Sequence, residues 1–153
     1  MKILGIDPGS KESGFVDWDS NGSLIASADK IPNVLMLIAC RLYSGVVAIE
    51  QIRGYGIVAG DDTFDTCEWT GRFREAHEGK GGKVMMIPRK DIKHHLCGNT
   101  TCKDTHVRQA LIDKYGPIGT KKEKGPLYGI SGHCWSALAV CVTCQMLLEL
   151  KDI

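Results

Sequence analysis

Lys2-Ile3-Leu4-Gly5-Ile6-Asp7-Pro8-Gly9-Ser10 (KILGIDPGS) is the stretch on which the architecture turns. Lys2–Asp7 is short, branched and apolar, and the turn formers Pro8, Gly9 and Ser10 stop it, the pattern of a buried strand. Downstream, Gly14–Trp18 and Ser23–Ala28 read as two more strands, with Asn21-Gly22 as the hairpin signal between them. Pro32–Tyr43 carries Val34, Leu35, Ile38 and Leu42 at helical spacing and leads into Val46–Glu50 (VVAIE), another buried strand. A Gly-rich loop, a helix over Thr63–Glu78 and a strand over Lys83–Ile87 follow. Asp91–Leu96 and Lys103–Tyr115 read as helices, Pro117–Tyr128 as a basic loop, and Gly132–Leu150 as a helix apolar nearly all round, hence buried. Three antiparallel strands, a helical crossover and further strands among helices make an α/β pattern. The expected fold is a five-stranded mixed sheet, three strands antiparallel and then two parallel, flanked by helices in one domain over residues 1–153.

Composition narrows the function classes. The 153 residues are 43% hydrophobic and 24% charged, as in an ordinary soluble globule. No apolar run approaches the roughly 20 residues of a membrane span, and no charged-then-apolar leader precedes the first strand. Seven cysteines, mostly within apolar segments, argue against a disulfide framework and for a reducing cytoplasm. The net charge of +1 conceals an asymmetry: residues 1–79 carry 7 Lys/Arg against 12 Asp/Glu, and residues 80–124 carry 11 against 4. Such a basic stretch is either a solvated face or a phosphate-binding surface.

Strand geometry gives the acids a shared direction. A crossover between KILGID and VVAIE places those strands parallel, and ligands in such sheets bind beyond the carboxyl ends of strands at the switch in winding. Asp7 shares a strand face with Gly5 and Ile3, and Glu50 with Ala48 and Val46. The small residues behind both acids leave room for the Gly132–Leu150 helix, whose His133, Ser136, Ala137 and Val140 lie along one face. Two carboxylates and an imidazole meeting at a sheet edge suit Mg²⁺ or Mn²⁺ and a substrate phosphate. Two ions about 3.5–4 Å apart would serve an in-line displacement. The plainer alternatives are a turn-forming acid at a strand end and a capping or core histidine.

ILGIDPGSKESGF, VVAIEQ and GHCWSALAVC, in this order and spacing, resemble the RuvC family of Holliday-junction resolvases in the RNase H-like superfamily, in the short form of phages and prophages. The resemblance implies a metal-dependent endonuclease on branched DNA, two divalent ions and a homodimer. It implies Asp7 as first ligand, Glu50 as second and His133 as third. Where the family usually has a fourth acid, three residues on, this chain has Ser136. The site then works with fewer ligands or a Ser-held water, or Asp104 or a loop acid substitutes, or the chain is a catalytically impaired binder of branched DNA; the intact helix motif favours the first. Lys103 resembles the lysine that assists phosphate chemistry, and Tyr55, in the loop Arg53–Gly60, the aromatic that stacks at a junction centre. Arg89, Lys90, Lys93, Lys121, Lys122 and Lys124 are the candidate phosphate contacts, and Thr63–Glu78 is the candidate dimer helix.

Other signals are set aside. Cys97, Cys102, His94, His95 and His106 lack the paired spacing of a zinc site, and Cys141 and Cys144 read as core thiols within an apolar helix. Trp69 and Trp135 read as core aromatics. GIDPGS also resembles the phosphate turn of sugar kinases and actin-like ATPases, but those close two domains over ATP and this length suits one. YqgF-type resolvases share the LGIDPG strand, and WSALAV fits RuvC better. No organic cofactor and no membrane partner are expected.

Overall fold

A computed structural model describes residues 1–152; Ile153, the last residue of the expected domain, lies outside the described residues. Its elements run β1 Lys2–Asp7, β2 Glu12–Asp19, β3 Ser23–Pro32, α1 Asn33–Leu42, β4 Val46–Gln51 and α2 Asp61–Glu78. They continue with β5 Val84–Pro88, α3 Arg89–Cys97, α4 Asp104–Tyr115 and α5 Cys134–Lys151. One five-stranded sheet has the order β3-β2-β1-β4-β5. β1–β2 and β2–β3 pair antiparallel, while β1–β4 and β4–β5 pair parallel. The fold class and all ten elements match the sequence expectation. β3 runs on to Pro32 instead of ending at Ala28, because pairing with β2 resumes beyond a register shift between Ser13 and Phe15.

Period-two alternation divides the apolar residues between two cores. Ile3, Val16, Trp18, Ala48 and Ile87 face the layer of α3, α4 and α5, where Ile92, Leu111, Leu138 and Val140 are buried. Leu4, Ile6, Val47 and Ile49 face α1 and α2, against Met36, Leu37, Cys40 and Phe73. α1 corrects one expectation. Its helically spaced Val34, Leu35, Ile38 and Leu42 are all exposed, Leu42 by 78%, and the packed side is Asn33, Met36, Leu37 and Cys40. The helix is apolar on both faces, so spacing alone could not choose the inward one. α5 corrects another, since by length and composition it does reach the limit for a bilayer span. It lies instead across β1, β2 and β4 with 61% of its length buried, as a core helix does.

Gly5 permits that close approach. A Cβ there would enter the contact distance of the Ala137 carbonyl oxygen and of Cys141 Sγ. Both atoms are held in place: Ala137 belongs to the backbone of α5, and Cys141 Sγ lies 3.6 Å from the carbonyl oxygens of Ile3 and Val16. Gly5→Ala is therefore expected to cost about 2–3 kcal/mol by overpacking a rigid helix–sheet contact. Urea denaturation measures it; a loss below about 0.5 kcal/mol would mean that α5 moves away freely.

Candidate active site

The carboxyl ends of β1 and β4 are adjacent, because Ile6 pairs with Ile49 in the parallel register. Asp7 and Glu50, one residue further on each strand, are close enough for each to bear on the other's ionisation. Their side chains are only 16% and 14% exposed. Ile3–Gly5 and Val46–Ala48 set both acids on the α5 side, as alternation requires. A polar clamp fixes the turn beyond Asp7. Gly9 N–H donates to Ser13 Oγ at 3.2 Å, Ser13 Oγ donates to Asn33 Oδ1 at 2.6 Å, and Asn33 Nδ2 donates to the Gly9 carbonyl at 2.8 Å. Ser13 and Asn33 are both buried and satisfy one another there.

His133 stands at the N-cap of α5 rather than inside its first turn. Its Nδ1 lies 2.8 Å from Asp7 Oδ2. Its backbone N–H donates to Asp29 Oδ1 at 2.6 Å, tying β3 to the start of α5. A Cβ on Gly14 would meet the His133 Cβ at 2.8 Å, so this glycine lets the histidine approach the sheet.

On the opposite side of the acids stands Arg89, the first residue of α3. Its Nε lies 3.6 Å from Glu50 Oε1, and its Nη2 donates to Asp104 Oδ1. Lys93 Nζ is 4.0 Å from the same Asp104 oxygen. Arg89 is thus held among the acids, 23% exposed, and is not a free surface cation. Burial, the largest influence, and the neighbouring Asp7 push Glu50 up to about 7 against the pull of Arg89. Burial also raises Asp7, opposed by the hydrogen bond and charge of His133. The Arg89 hydrogen bond holds Asp104 below the usual carboxylate range.

Among the described residues no group of three or more His, Cys, Asp and Glu side chains converges on a single point. The donor set nonetheless suits a hard divalent ion. Mg²⁺ is commonly held by one or two carboxylates and substrate phosphates, without a closed protein cage. Arg89 stands against Glu50 and His133 against Asp7, and a divalent cation would add to the positive charge that two buried carboxylates so close together call for.

The remaining expected residues are dispersed. Ser136 is half-buried in the first turn of α5 and lines a cavity with Arg89 and Asp104. Lys103 is exposed and caps α4 through its backbone: its N–H donates to His106 Nδ1 at 3.1 Å. Tyr55 is 46% exposed in the loop after β4, in the left-handed region at φ 46°, with Lys90 Nζ 4.2 Å from its ring centre. Lys121, Lys122 and Lys124 are exposed on the loop between α4 and α5. Trp135 is buried as expected and Trp69 half-buried. Sequence reasoning missed Asp29 and the Arg89–Asp104 link. No local pattern marks either, since Asp29 meets its partner across 104 positions and Arg89 meets Asp104 across 15.

No family model and no curated protein matches the sequence. Among solved structures, that of Thermus thermophilus RuvC superposes with a TM-score of 0.72 at 19% identity, covering 99% of this chain and 97% of that one. T. thermophilus RuvC in complex with a Holliday junction substrate superposes with a TM-score of 0.72 at 18% identity, covering 99% and 96%. Over nearly its whole length, the chain has the RuvC-like form of the RNase H-like fold.

Proposed function

We propose that this chain is a divalent-metal-dependent endonuclease that cuts four-way or other branched DNA, working as a single catalytic domain. The observation that carries the reading is the buried pair Asp7 and Glu50 at the ends of adjacent parallel strands, with His133 hydrogen-bonded to Asp7. The RuvC structure solved with a Holliday junction supports the substrate class.

Asp7 and Glu50, with His133 beside them and Ser136 nearby, would hold Mg²⁺ or Mn²⁺, two ions by analogy with the family. Such ions, when bound, would supply positive charge to the phosphate and the leaving oxygen. The protein supplies position. Asp7 orients the imidazole through Nδ1, which leaves Nε2 turned to its other side for a proton or a ligand bond. Asp29 fixes the backbone that carries the ring. Arg89 keeps Glu50 in place by its charge. Lys103 and the lysines at 90, 93, 121, 122 and 124 would lie along DNA phosphates, and Tyr55 would stack on an exposed base. A cytoplasmic homodimer suits a substrate of two-fold symmetry. α2 remains the proposed interface, and α1, which packs beside it, carries an exposed apolar stripe.

Ser136 favours a second reading, in which the chain binds branched DNA without cutting it. One assay separates the two. A labelled synthetic four-way junction is expected to be nicked in Mg²⁺ or Mn²⁺ and left intact in EDTA. Tight binding without nicking in either metal would support the second reading, and no binding at low salt would remove both.

A further inference from the structure

We infer that the cavity between α3, α4 and the start of α5 is a phosphodiester subsite, built by Arg89, Arg108 and Ser136 beside the acid pair. The inference rests on the nuclease reading and gives Ser136 a role other than that of a missing metal ligand.

The cavity has a volume of about 110 Å³ and is lined by Arg89, Asp104, Arg108, Trp135 and Ser136 among others. Arg89 Nη1 is buried with no hydrogen-bond partner, although Nε and Nη2 of the same guanidinium are engaged by Glu50 and Asp104. A buried donor without an acceptor costs about 1–3 kcal/mol, and a charged one more, so an oxygen acceptor placed against it would be stabilising. Arg108 lies on the other wall, its guanidinium carbon 5.1 Å from the centre of the Trp135 ring. Stacking on a buried Trp limits the rotamers of Arg108 and leaves its edge donors available. Ser136 contributes a hydroxyl, which can donate to a phosphate oxygen.

Charge agrees with geometry. Two guanidiniums, Arg89 and Arg108, line the cavity with a single carboxylate, Asp104. The balance favours a monoanion, the charge of one phosphodiester. A carboxylate at position 136 would enter the same cavity and repel it. Asp7 and His133 line a separate cleft on the other side, with Lys11 and Lys30. A DNA strand crossing the acid pair would therefore meet cationic side chains before and after it. The subsite near Ser136 takes the phosphate next to the one at the acids.

The test needs no metal and no turnover. A fluorescein-labelled four-way junction is titrated by anisotropy in EDTA over a series of NaCl concentrations. Arg108→Ala is expected to weaken Kd about 10-fold and to flatten the slope of log K against log salt by about 1, the loss of one phosphate contact. Ser136→Asp is expected to weaken metal-free binding by about 10-fold as well, on the same repulsion. Lys83→Ala, just before β5 at the edge of the sheet, serves as the charge control, and circular dichroism verifies that each variant is folded. If either Arg108→Ala or Ser136→Asp binds as tightly as the wild type, the subsite is overturned and the nuclease reading stands. A wild-type chain that binds no junction overturns both.

Discussion

Asp7→Asn is expected to reduce junction cleavage by about 10³-fold or more, while metal-free binding of the same junction changes less than about 3-fold. The magnitude is that of removing one preorganised electrostatic contact from a site of developing charge. The substitution keeps size and shape but removes the charge that orients His133 and meets the cation. Burial already holds the Asp7 carboxyl above its ordinary range, so a neutral amide there suits the folded chain. The variant is thus expected to fold with unchanged or slightly higher stability, which makes the loss of rate interpretable. Single-turnover cleavage in Mg²⁺ and in Mn²⁺ is the measurement. A rate within 10-fold of wild type in both would remove Asp7 from the chemistry.

Glu50→Gln is expected to separate stability from function. The folded chain holds a proton on Glu50 up to about 7, against an ordinary value of 4.5 that stands for the unfolded chain. The folded state binds this proton more tightly, so the group favours folding below about pH 4.5. That benefit is lost as pH rises toward 7, and above 7 the ionised carboxylate carries the full cost of burial. The shift corresponds to at most about 3 kcal/mol, with little discount for solvent because the side chain is only 14% exposed. At pH 8 the glutamine variant should be more stable than wild type by about 1–3 kcal/mol, or about 2–4 °C in Tm for each kcal/mol. At pH 4.5 the two should nearly coincide. Cleavage by the variant should fall as far as that of Asp7→Asn, an exchange of stability for activity common at functional sites. Mg²⁺ should stabilise wild type more at pH 8 than at pH 6 and the variant hardly at all. Thermal melts across pH, with and without Mg²⁺, measure these effects. A variant less stable than wild type at pH 8 would mean that Arg89 outweighs burial at Glu50.

These expectations depend on two kinds of information. The strand KILGID, its stop at Pro8 and its partner VVAIE are written in local pattern. Alternation puts Asp7 and Glu50 on one face, and the crossover makes their strands parallel. The closeness of α5 was legible in Gly5 and Ala48, small residues where a helix must approach. Periodicity failed at α1, where apolar residues occupy both faces and the choice between them belongs to the packing of α2. It also had no access to Arg89, which in one dimension is another cation in a basic stretch.

By itself the sequence determined the mixed sheet, the two acids and the histidine that meets Asp7, because strand period, turn chemistry and crossover direction are local patterns along the chain. Only the tertiary structure decided that Asp29 holds His133, that Arg89 stands between Glu50 and Asp104, and that Ser136 opens onto Arg89 and Arg108. Those contacts join residues on different elements. Their energies depend on burial and distance, which follow from how α3, α4 and α5 pack on the sheet and leave no periodic trace along the chain.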